Sequence, residues 1–209
     1  MQSSKNLCIY ILAVVILAGI MRGDTETPEE TRIDQYENYF EHQDIYLSFK
    51  DAVDYWLYGF NYDSPHTIGK QCVYLRKQNL TEEQMNYTSN FIKNGTWGKI
   101  QYNGTFCLIS GVSSKGKERK KYNSINVTTP EYPGAWFMYN LIYSDYHNCS
   151  ILRIPRMING SGCMVLLTDH VVKTGPPAPC QAIYNHSCGK YHHFYQIYNS
   201  SCKKNPLHQ

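Results

Sequence analysis

The sequence predicts an all-β fold, an eight-stranded antiparallel barrel or sandwich with a short helix before it and a helix or compact turn after it. Three observations predict it. From residue 56 onward, aromatic and β-branched runs recur every ten to fifteen residues or about that, with Gly, Asn, Pro or charge between them, the pattern of short strands joined by turns. Tyr (19), Phe (7) and Trp (3) are plentiful and favour strands, while only 18% of residues are charged, which argues against both disorder and coiled coil. A chain of 209 residues is long enough to close one core and short for a multidomain enzyme.

Taken in order, residues 1–23 read as a signal peptide. Lys5 precedes an apolar run, Leu7 to Ile20, that is shorter than the roughly 20 residues a membrane-spanning helix needs. Cleavage after Gly23 would remove Cys8 and leave seven of the eight cysteines in an oxidising compartment. Secretion draws separate support from the Asn-x-Ser/Thr sequons at Asn79, Asn86, Asn94, Asn103, Asn126, Asn159, Asn185 and Asn199. Chance would supply about two in a chain of this composition. Asn148 is a weaker ninth, since Cys149 fills its middle position.

Residues 24–42 read as an acidic, flexible N-terminal segment ahead of one domain, 43–209. Residues 45–55 carry Ile45, Phe49, Ala52 and Val53 at helical spacing and predict a short helix. The expected strands are 56–62, 70–77, 85–93, 98–110, 122–128, 135–144, 149–155 and 163–169. Asn94-Gly95, Asn103-Gly104 and Asn159-Gly160 mark hairpins or bulges, because Asn and Gly tolerate positive φ. The basic run 115–121 reads as a solvated loop, with a polyanion site as the lesser alternative. Pro176, Pro177 and Pro179 end the strands, and 180–189 is expected to lie on the barrel as a helix or compact turn.

Several functions are disfavoured. A net charge of +3 offers no phosphate-gathering excess, so nucleic acid is not an expected partner. Neither Gly-x-Ser-x-Gly, a P-loop nor a dinucleotide fingerprint occurs, so the chain reads as a non-enzyme with no cofactor. His186, His192 and His193 stand near Cys188 without metal-ligand spacing, so no metal is expected.

Four stretches carry a resemblance: Lys70-Gln-Cys-Val-Tyr-Leu, Tyr143-Ser-Asp-Tyr-His-Asn-Cys-Ser-Ile-Leu, Gly162-Cys-Met-Val-Leu-Leu-Thr-Asp, and Pro177-Ala-Pro-Cys with terminal Cys202. Over about residues 43 to 202 the chain resembles the salivary lipocalins of ticks, the histamine-binding-protein-like family. The resemblance implies an eight-stranded lipocalin barrel stapled by Cys72–Cys202 and Cys149–Cys180, with Cys163–Cys188 as a third bridge. Cys107 is then left over, either a buried free thiol, the favoured reading, or available to another chain.

The best-characterised members bind histamine or serotonin through buried carboxylates, because an unpaired cation inside a barrel is costly. At the places where the amine binders carry acids this chain has Ser150, Tyr139 and Met164, and Asp63 near the mouth is the candidate for a fourth. Strand alternation carried over from the family points Tyr58, Phe137, Tyr139, Leu141, Leu152, Met164 and Leu166 inward. That lining suits a fatty acid, eicosanoid or sterol; the alternative is a filled core without ligand. The resemblance therefore implies a secreted salivary protein, without a membrane anchor once the signal is removed, that sequesters a small hydrophobic host mediator and modulates inflammation or immunity. The alternatives are a biogenic amine in the pocket, or a host immune protein bound by the outer surface.

Overall fold

A computed structural model describes residues 32–63, 67–109, 119–189 and 193–206. The expected signal peptide and most of the basic run 115–121 lie outside the described residues. Eight antiparallel strands follow one another: β1 (Asp54–Phe60), β2 (Lys70–Leu80), β3 (Gln84–Lys93), β4 (Thr96–Cys107), β5 (Ser124–Thr128), β6 (Trp136–Ser144), β7 (Cys149–Ile154) and β8 (Gly162–Thr168). Each pairs with the next, and β8 returns to β1, so the sheet closes into a barrel. All eight expected strands are present, with ends displaced by a few residues.

Closure happens in two halves. Asp54, Tyr55 and Trp56 pair with Arg76, Leu75 and Tyr74 of β2, after which β2 bends away at Cys72, whose φ is 50°. The vacated edge of β1 is taken by β9 (Tyr195–Gln196), with Gly59 opposite Gln196 and Phe60 opposite Tyr195. Gly59 permits this approach: a Cβ there would lie 2.3 Å from Phe194 Cζ and 2.7 Å from the Tyr195 carbonyl oxygen. The Cys72–Cys202 disulfide locks the tail beside that seam. Closing a loop of this length contributes about 4–5 kcal/mol in the chain-entropy picture.

The expected helix over 45–55 is a correction: α1 covers only Ile45–Ser48. Asp44 caps it, its Oδ1 accepting from the Tyr46 and Leu47 amides at 3.1 Å each. It stops there because Asp54 and Tyr55, counted toward the helix, are drawn into the ladder of β1. Ile45 and Phe49 are both buried and plug this end of the barrel. Just outside it, Arg76 grips Asp54 at 2.8 and 2.9 Å, and Lys204 bridges Asp54 and Asp169. Burial alone would raise the Asp54 carboxyl, but the hydrogen bonds from Arg76 and Lys204 outweigh it and hold it below the usual carboxylate range.

A second apolar layer lies on the outer wall. Trp56, Tyr74, Ile142, Ile151, Val165 and Leu167 face outward and are covered by α2 (Ala178–Tyr184), a five-residue π-turn (Asn185–Gly189) and the tail. Cys149–Cys180 and Cys163–Cys188 fix this cover, as the resemblance implied. Cys107 corrects an expectation. It is buried, and no described cysteine is a free thiol. The full chain holds an even eight, and only removal of Cys8 makes the count odd.

The flexible-arm expectation also fails from Ile33 onward. Ile33 is wholly buried, and residues 33–42 lie on the wall as two short 3-10 turns, Ile33–Gln35 and Glu37–His42. An ion pair holds them. Arg153 points outward from β7, and its Nε donates to Asp34 Oδ1 at 3.0 Å, while its other nitrogens reach the carbonyls of Gly160 and Ser187. Arg153 and Asp34 are 1% and 4% exposed at the side chain. Arg119, at the edge of the expected solvated loop, is likewise buried, donating to Gln43 Oε1 at 2.7 Å and the Asp34 carbonyl at 2.9 Å. Its guanidinium lies over the Phe40 ring, 3.8 Å from the centroid.

Breaking a buried pair from one side leaves an uncompensated charge, typically worth about 3–5 kcal/mol. Asp34→Ala is therefore expected to lower the unfolding free energy in urea by about that much. The double variant Asp34→Ala, Arg153→Met should recover most of the loss.

Candidate functional site

Strand alternation turns one set of side chains into the barrel. On β3 these are Met85, Tyr87, Ser89 and Phe91; on β6, Phe137, Tyr139 and Leu141; on β7, Leu152 and Ile154; on β8, Met164 and Leu166. Between α1 at one end and the loops after β1, β5 and β7 at the other, they leave a cavity of about 100 Å³. That space holds several waters or about one aromatic ring. Thus the barrel is neither packed shut nor widely hollow.

Of the residues expected inside, Phe137, Tyr139, Leu152, Met164 and Leu166 line this cavity. Leu141 is fully buried in the same core without reaching the open space. Tyr58 is a correction. A register shift between Leu57 and Gly59 accompanies outward-facing Trp56 and Tyr58, and Tyr58 meets Phe194 and Tyr198 with ring centroids 6.1 and 6.4 Å away. Leu57 takes the inward place. Sequence reasoning also missed Tyr62, Tyr87, Tyr102, Met85, Met157 and Lys70. The alternation Met85, Tyr87, Ser89, Phe91 was a readable signal for the β3 face.

The lining is apolar with four phenols. Burial raises the pKa of Tyr62, Tyr87 and Tyr139 well above the ordinary 10, and that of Tyr102 to about 12. Tyr87 and Tyr102 stack at 5.2 Å. Among the described residues the lining contains no Asp or Glu. At the positions matched to acids in the amine binders, Tyr139 and Met164 line the cavity, while the Ser150 hydroxyl is bonded to that of Ser144 at 3.0 Å. Lys70, at the mouth, is the one charged group of the described lining. Asp63 is exposed and lines an adjoining recess of about 410 Å³ with Asn61, His193 and Tyr195; Tyr62 and Met157 line both this recess and the cavity.

A family model described as tick histamine binding protein matches residues 33–204. Among solved structures, the serotonin complex of AM182 is 16% identical with a TM-score of 0.54, covering 89% of this chain and 100% of that one. Japanin from Rhipicephalus appendiculatus, bound to cholesterol, is 13% identical with a TM-score of 0.51, covering 73% and 96% respectively. At such identities the likeness speaks to the fold. No curated protein sequence matches significantly. No helix among the described residues is long and apolar enough to cross a membrane.

Phenols kept neutral by burial weaken the fold in alkali. With folded pKa values raised above the unfolded 10, their contribution is intact below pH 10 and is lost as pH rises above it. Absorbance titration at 295 nm should therefore show a group of tyrosines that ionise only together with unfolding.

Proposed function

The chain belongs to the tick histamine-binding protein family, and from that premise we propose a secreted, glycosylated lipocalin that sequesters a small hydrophobic host mediator and so modulates host inflammation or immunity. The mediator is a fatty acid, eicosanoid or sterol, and the mechanism is stoichiometric binding without turnover. One observation carries the reading: the cavity is apolar, and no carboxylate stands among its described lining. Serotonin, present in the AM182 complex, carries an ammonium, and burying a cation without a counter-charge costs several kcal/mol. Lys70 adds repulsion to that penalty.

Glycosylation is supported by where the sequons fall. Asn79, Asn86 and Asn103 are direct partners across β2, β3 and β4, and Asn126 sits on β5 opposite Thr105. Directly paired residues share a face, and here it is the wall opposite the inward Met85, Tyr87 and Tyr102. The β2–β5 wall would thus carry Asn79, Asn86, Asn103 and Asn126, while Asn185 and Asn199 lie in the π-turn and tail that cover the other wall.

Calorimetry on protein secreted from eukaryotic cells tests the reading. Hydrophobic ligands are expected to bind with histamine and serotonin silent, and Leu166→Trp, which fills the cavity, should weaken lipid binding by at least about tenfold. Sub-micromolar amine binding without lipid binding would sink the proposal.

A further inference from the structure

Two kinds of hairpin alternate around the mouth of the barrel. In an up-and-down barrel the turns β1–β2, β3–β4, β5–β6 and β7–β8 all lie at the end opposite α1, the first across the opening from the third and the second across from the fourth. The first and third present large apolar side chains to solvent. Ile68, just before β2, and Tyr132, between β5 and β6, are 63% and 48% exposed, and Tyr195 of β9 adds another exposed ring beside the end of β1. Among the described residues only Tyr36 and Val53 are comparable, and neither is on a mouth hairpin.

The second and fourth hairpins carry a sequon at the tip. Asn94-Gly95-Thr96 joins β3 to β4, and Asn159-Gly160-Ser161 lies between β7 and β8. Both asparagines are exposed, both have a φ of 51°, and each is followed by a glycine that is also at positive φ. Each is therefore the corner of its turn. The Asn159 carbonyl accepts from Arg32 at 3.1 Å, which fixes that corner without using the side-chain amide.

A bare rim of this kind favours a lipid surface. Exposed aliphatic and aromatic tips beside cations are what peripheral proteins set into the headgroup boundary. Lys70, Lys93 and Arg156 stand on or next to the same hairpins, with the Arg156 guanidinium 3.5 Å from the centroid of the Trp136 ring. Of the acids nearby, Asp63 lines the adjoining recess, and Glu131 is turned back onto the protein, accepting from Thr129 and from the Gln101 amide.

We propose that glycans on Asn94 and Asn159 guard the mouth: standing on opposite sides of it, they hold the Ile68 and Tyr132 tips away from membranes while leaving the opening passable to a small molecule. This goes beyond the ligand reading and rests on the reading of the chain as a glycoprotein. A glycan is bulky and hydrated. A bilayer has to approach all four hairpins together, whereas a dissolved ligand needs only the gap between them. The sequons on the β2–β5 wall point sideways and leave the mouth clear.

The test uses the full chain secreted from eukaryotic cells and vesicles of equal parts phosphatidylcholine and phosphatidylserine. Thr96→Ala with Ser161→Ala removes both sequons and keeps the asparagines at the turn corners. Trimming every glycan of the folded wild-type protein to its first sugar makes the same comparison without a substitution. Both preparations should co-sediment with vesicles at least about tenfold more than the untrimmed protein. Adding Ile68→Asp and Tyr132→Asp should return the sequon-free variant to the starting level, and Asn79→Gln with Asn103→Gln, on the side wall, should change nothing. No gain in either preparation, an equal gain in the wall variant, or self-association of the sequon-free protein in place of vesicle binding would each overturn the assignment. Glycopeptide mapping separates it from its premise: Asn94 and Asn159 bare beside occupied wall sequons overturns the guard alone, and no occupied sequon overturns the glycoprotein reading with it.

Discussion

Everything in this molecule depends on closing the sheet at β1. A strand in a closed barrel must satisfy hydrogen-bonding edges on both sides along its length, and β2 serves only the first three residues of one edge before turning away at Cys72. The chain solves this by returning more than a hundred residues later with β9, against a glycine that has no side chain to obstruct it. Without that return, Phe60 and the mouth would border an open edge, and the separation of inner from outer faces would end there. With it, one face of each strand is committed to the cavity and the other to the outer wall.

The two faces then handle charge differently. Outside, buried ions are neutralised within the protein: Arg153 with Asp34, and Asp54 with Arg76 and Lys204. These pairs tie the termini to the wall. Inside, Lys70 has no carboxylate partner among the described residues.

The barrel was legible in the sequence because its signals are local: period-two alternation, turn residues, and aromatic runs of strand length. The cysteine connectivity was legible through family resemblance. What escaped was non-local. Tyr58 was expected inside by alternation carried over from the family, whereas Leu57 faces the core and Tyr58 shares the outer face with Trp56. Residues 33–42 read as a solvated acidic arm, since nothing nearby announces that Asp34 meets an arginine 119 positions away. Arg119 sat in a basic run that resembles a solvated loop, yet it is buried against residues 34–43, donating to the Asp34 carbonyl and to Gln43 Oε1. In the cavity, the acids missing from expected places were readable, whereas Lys70 passed for an ordinary strand-end charge until the register set it opposite Lys93.

The chain positions of the disulfides bear on biosynthesis. Every described bridge joins a strand cysteine to a partner between 180 and 202. A chain made from its N-terminus therefore exposes Cys72, Cys149 and Cys163 well before their partners are synthesised, and the barrel cannot finish closing until residue 202 has been translated. Oxidative folding is consequently a late event.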